Sequence, residues 1–121
     1  MTDINKIKKA IQTLVELSEN KANFSDDDWS IDHQLDLDDS LRDGLAKLQI
    51  ELNLLMDAVQ QKDLITAKCA LVTARVISLD LSNFFLNIFE DIEKVGWSKE
   101  LNLPSIPEGY QIPEHYTYPH R

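Results

Sequence analysis

The sequence predicts an all-α protein: an antiparallel bundle of three main helices, two of them joined as a long hairpin, with an acidic loop and an extended, proline-rich C-terminal tail. Three observations predict it. Apolar residues recur at three- and four-residue steps over two long stretches, Leu41 to Val59 and Leu64 to Ile92, which is the period of a helix and not of a strand. All four prolines, Pro104, Pro107, Pro113 and Pro119, fall in the last 18 residues, so the chain before them is free to be helical. The length of 121 residues, 43% apolar and 27% charged, suits one folded domain spanning residues 1–121 around a single core.

Helix 1 is expected over about residues 3–20. There Ile4, Ile7, Ile11, Leu14 and Val15 form one stripe, with Thr2 or Asp3 as its cap. Residues 21–38 have no apolar periodicity and read as an acidic loop. Helix 2, about 39–61, starts from Asp38 or Asp39 and carries Leu41, Leu45, Leu48, Leu52, Leu55 and Val59 in a heptad-like seam. Gln60-Gln61-Lys62-Asp63 then reads as a tight connection ending in a second capping Asp, which makes helices 2 and 3 a hairpin. Helix 3, about 64–94, ends toward Gly96, a residue suited to a left-handed C-terminal cap, with a bend expected near Ser82-Asn83. One face of it gathers Ala67, Ala70, Leu71, Ala74, Ile77, Leu81, Phe85, Ile88 and Ile92. Almost opposite lies a second strip, Ile65, Val72, Val76 and Leu79. It is expected to be covered by helix 1 or, in self-association, by a second copy in a homodimer. The tail, 97–121, cannot be helical. Its Leu101, Leu103, Ile106, Tyr110, Ile112, Tyr116 and Tyr118 predict that it packs along the bundle.

The net charge of −9 is concentrated in the middle of the chain, where residues 24–63 carry eleven acids against three basic residues. Such a balance argues against direct nucleic-acid binding, because phosphate contacts need clustered Lys and Arg. The single cysteine, Cys69, permits no internal disulfide, and the N-terminal stretch interleaves charges with its apolar residues, unlike a secretory signal. The expected compartment is therefore a reducing cytoplasm. No apolar run approaches the ~20 residues of a membrane-spanning helix.

The densest acidic stretch is DDDWSIDHQLDLDD, residues 26–39. A calcium loop needs Gly at position 6 and an acid at position 12. Counting from Asp26 puts Ile31 and Leu37 there, and counting from Asp28 puts His33 at position 6. Neither register fits, and no metal site is expected. His33, His115, His120 and Cys69 lack the paired spacing of zinc ligands. The three glycines, Gly44, Gly96 and Gly109, are isolated and form no phosphate loop. No cofactor is expected.

The hairpin from Lys47-Leu48-Gln49-Ile50-Glu51-Leu52 through Lys62-Asp63-Leu64 to Leu79-Asp80-Leu81 resembles the core of the all-α nucleotide pyrophosphohydrolases over about a third of the chain. That resemblance implies magnesium held by Glu-Glu-x-x-Glu on one helix and Glu-x-x-Asp on the next. This sequence has Leu54 three residues after Glu51, and Leu71 and Ala74 where helix 3 would need acids. The metal motif is not present, and the likeness is one of architecture. An unconventional set drawn from Glu51, Asp57 and Asp80 across a dimer is the enzymatic alternative.

The function these features suit is protein binding without catalysis, as in an immunity protein or antitoxin that neutralises a basic partner such as a nuclease toxin. The expected contact surface is Asp26, Asp27, Asp28, Asp32 and Asp36, with Trp29 as its apolar anchor. A self-associating structural subunit is the remaining alternative.

Overall fold

The computed structural model describes residues 2–18, 29–99 and 101–119. Within them lie three helices and no strand: α1 (Lys6–Leu17), α2 (Leu37–Gln60) and α3 (Leu64–Gly96). The all-α hairpin architecture read from periodicity is the one observed. The last two residues expected of helix 1, and loop residues 21–28, lie outside the described residues.

The α2–α3 hairpin is the body of the molecule. Its turn is a Schellman motif: the Asp63 N–H donates to the Ala58 carbonyl at 2.8 Å and the Lys62 N–H to that of Val59 at 3.1 Å. The left-handed position falls on Lys62, with φ of 58°, where glycine is the usual occupant. Asp63 caps α3 by accepting from the Thr66 N–H at 3.0 Å. The hydroxyl and N–H of Thr66 together hold the Asp63 carboxyl below the ordinary carboxylate range.

Small residues bring the two helices together. Ala58, Ala67 and Ala70 are buried between them, and a Cβ on Gly44 would stand 2.8 Å from Cδ2 of Leu81. The heptad seam is only half covered. Leu41, Leu48 and Leu55 of α2, and Ala74, Leu81 and Ile88 of α3, are partly buried against the sister helix. The neighbouring columns are open: Leu45, Leu52 and Val59 are 52, 44 and 54% exposed, and Leu71, Phe85 and Ile92 are 49, 51 and 42% exposed.

The second cluster sits at the other end of the hairpin. Ile11 and Val15 of α1 pack with Val95 of α3 and Leu101, flanked by Ile7, Leu14 and Trp29.

Four expectations are corrected. Helix 1 does not cover Ile65, Val72, Val76 and Leu79, because it docks at the Val95 end of α3, and all four are exposed. The tail does not pack along the bundle: Leu101 is buried, but Ile106, Tyr110, Ile112, Tyr116 and Tyr118 are exposed. Gly96 does not form a left-handed cap: α3 is continuous from Leu64 to Gly96, its last helical residue, which has no positive φ. The cap of α2 is Asp36, not Asp38 or Asp39, since it is the Asp36 carboxylate that accepts from the Asp39 N–H.

Candidate functional site

The described part of the acidic stretch, residues 29–39, joins α1 to the hairpin, and nearly every carboxylate in it has a bond that explains its position. Asp36 Oδ1 accepts from the Asp39 N–H at 3.1 Å and from the Asn5 side-chain amide at 2.9 Å. Asn5 returns a bond, its Oδ1 accepting from the Leu37 N–H at 2.8 Å. Asp38 faces the other way and meets the start of α1. It accepts from the backbone N–H groups of Ile4 and Asn5 at 2.9 and 3.2 Å, and also from the Asn5 amide. These N–H groups belong to the turn that leads into α1, at its N-cap Asn5 and the residue before it; α1 has no side-chain cap of its own, and a carboxylate from the next helix fixes its start.

The same bonds set the local electrostatics. The Asn5 amide, then the Asp39 N–H, lowers the Asp36 carboxyl below its usual range, and the Ile4 N–H does the same for Asp38.

Asp91 is the buried member of the group. It is fully buried on α3, with Oδ1 accepting from the Ser30 N–H at 2.7 Å and Oδ2 from the Ile31 N–H at 2.8 Å. Lys94 Nζ stands 3.7 Å from Oδ1, and the Ser30 hydroxyl donates to Glu90 at 2.8 Å. Further along, Asp32 accepts from the Gln34 N–H at 3.0 Å, and the Lys8 amine donates to the Leu35 carbonyl. Trp29 stacks on His33 at 5.8 Å, and the His33 Nδ1 pairs with the Gln12 amide at 2.8 Å.

The expected contact residues therefore divide. Asp26, Asp27 and Asp28 lie outside the described residues. Asp32 and Asp36 are exposed but hold the loop and the α2 cap. Trp29, expected as an exposed anchor, is half-buried against Ile11, Val15, Val95 and Leu101, because an indole beside four aliphatic side chains is removed from water more cheaply there than on a rim.

Asp91 and Asn5 carry most of this arrangement, and neither stands out by residue type. Asp91 does leave a trace. Phe84, Ile88, Asp91 and Val95 follow core spacing, and a carboxylate takes such a register only with partners.

The hairpin itself brings few functional groups together. On its polar side Asp43, Lys47, Asp80 and Phe84 line a shallow groove of about 190 Å³, with Lys47 paired to Asp43 at 2.9 Å. Gly44 meets Leu81, so Asp80 lies level with the Gly44 turn. Glu51 is two turns away, about 10 Å along the axis, and Asp57 almost four, about 20 Å. The three do not converge within one chain. No group of three or more His, Cys, Asp or Glu suited to a metal occurs among the described residues, and no described helix is long and apolar enough to cross a membrane. Comparison with family models, with curated proteins and with solved structures gave no match to this chain.

Proposed function

We propose that this protein works by binding a basic protein partner, without catalysis of its own, in the manner of an immunity protein or antitoxin that neutralises a cationic target such as a nuclease toxin. The observation that supports it is the segregation of charge on the hairpin. Asp39, Asp43, Asp57 and Asp80 are all exposed. Asp43 and Asp80 line one groove between the helices, and at 100° per residue Asp39 and Asp57 lie about 40° round α2 from Asp43, on its outer side.

Arg42 and Lys47 neutralise two of these carboxylates locally, Asp39 at 2.5 Å and Asp43 at 2.9 Å. The chain's charge of −9 still gives that side a negative field, which steers a cationic protein and raises its on-rate. Asp26, Asp27 and Asp28, which lie outside the described residues, add three carboxylates to the chain's negative charge, as do the exposed Asp32 and Asp36, and Trp29 belongs to the core cluster.

An extract passed over the immobilised protein tests the reading. Proteins of high isoelectric point should be retained at low ionic strength and released toward 1 M salt, where the Debye length falls to about 3 Å. Changing Asp26, Asp27 and Asp28 together to Asn should slow association of the retained partner several-fold at low salt and flatten its salt dependence. An unaltered on-rate would remove the acidic segment from the interface. Retention of mainly neutral or acidic proteins would remove the proposal.

A further inference from the structure

We propose that the apolar face of the α2–α3 hairpin is covered by a second copy of the same chain, so that two hairpins close into a four-helix bundle. In such a bundle the seam of each helix points at the common axis, diagonally between its two neighbours. A hairpin taken alone then shows one column of each seam covered and the adjacent column open. That is the observed pattern, with Leu41, Leu48 and Leu55 partly buried beside open Leu45, Leu52 and Val59. On α3, Ala74, Leu81 and Ile88 are partly buried beside open Leu71, Phe85 and Ile92.

Handedness puts both open columns on one side. In antiparallel right-handed helices, a quarter turn in the same sense from the line of contact reaches the same face of the pair. That face lies opposite the groove lined by Asp43 and Asp80.

Area and charge identify the occupant. The chain exposes 9902 Å², where a compact monomer of 13.9 kDa exposes roughly 6,700 Å². The tail, the open columns and the exposed strip Ile65, Val72, Val76 and Leu79 all contribute to the excess. Obligate dimers bury roughly 2,000–5,000 Å² in total, an area two such excesses can supply. An isologous contact must also tolerate its own charge twice over. From Leu45 to Phe89 the projected face carries no carboxylate, despite the net charge of −9; its polar members are Gln49, Ser78 and Ser82, with Lys68 and Arg75 at the rim, and Glu93 takes the rim position just past Ile92. The strip Ile65, Val72, Val76 and Leu79 comes from α3 alone and offers a second hairpin only a narrow contact, so the dimer forms on the other face.

The inference stands apart from the basic-partner proposal, and its test uses the full chain alone. Light scattering at tens of micromolar should give 27.8 kDa, twice the chain mass of 13.9 kDa. The melting temperature should climb by several degrees over a hundredfold rise in protein concentration. Leu52→Glu or Leu71→Glu should lower the mass to that of one chain or abolish the cooperative melt, whereas Val72→Glu should leave the dimer intact. A wild-type mass of 13.9 kDa with a concentration-independent melt overturns the inference. So does a dimer that Val72→Glu breaks and Leu52→Glu does not.

Discussion

At the scale of single residues, the fold is held by carboxylates that accept backbone N–H bonds from distant parts of the chain. Asp91 binds the Ser30 and Ile31 N–H groups from 60 residues away. Asp91→Ala would leave both donors unmatched in a dry site and should cost about 3 kcal/mol, read by urea titration. Asp91→Asn keeps one acceptor and should cost less. Asp38 gives a pH signature. Its carboxyl is lowered chiefly by the Ile4 N–H, so its folded pKa lies below its unfolded one. The stability it adds is complete above the unfolded value, about 3.9, and is lost as pH falls through the folded value. Wild type and Asp38→Asn should therefore differ most near neutrality and converge in acid, as urea titrations at several pH values would show.

At the scale of elements, the hairpin was legible because its cause is local: a 3.6-residue period, a capping Asp63 and prolines confined to the tail. The partners of Asp38 and Asp91 were not legible, since a bond between residues 34 or 60 positions apart leaves no spacing to read. Nor could periodicity tell which seam column faces the sister helix, as both have the same hydropathy. The consequences are measurable. Leu48→Ala and Leu81→Ala act within one hairpin and should cost about 2 kcal/mol each, while the loss of 2–5 kcal/mol usual for a buried Leu applies to the exposed Leu52 and Leu71 only inside the dimer. Gly44→Val would force α2 off Leu81, where even a Cβ stands 2.8 Å from Cδ2, and should destabilise by about 1–3 kcal/mol. Lys62→Gly, by relieving a side chain at φ of 58°, should stabilise by about 0.5–1 kcal/mol. Chemical denaturation of each variant checks these values.

At the scale of the whole molecule, two kinds of surface lie back to back, one apolar and one carrying Asp43, Asp57 and Asp80. Their separation would let a chain of net charge −9 form the proposed dimer while keeping its negative field turned outward. It also divides the effects of salt. Melting temperature at fixed protein concentration should change little between 50 and 500 mM salt, because the proposed dimer face is apolar. Capture of a basic partner should fall steeply over the same range. A melting temperature that collapsed with salt would show that ion pairs, not the open leucine columns, join the copies. The acidic character of the candidate site was plain from composition. The duties of Asp32, Asp36 and Trp29 were not, because each depends on a neighbour set by the fold.

The docking of α1 also matters during synthesis, when a chain is made from its N-terminus. α1 leaves the ribosome before Asp38, which binds the N–H groups just ahead of it, and before its apolar neighbours Val95 and Leu101. At roughly 5–20 residues per second, the gap from Ile11 to Val95 is about 4–17 s. Through that interval the Ile11 and Val15 stripe has no native surface to rest on and is open to chaperones. Arrested nascent chains ending before residue 91 should therefore be cut within residues 6–17 by a brief protease pulse, and chains arrested well beyond residue 101 should be protected there.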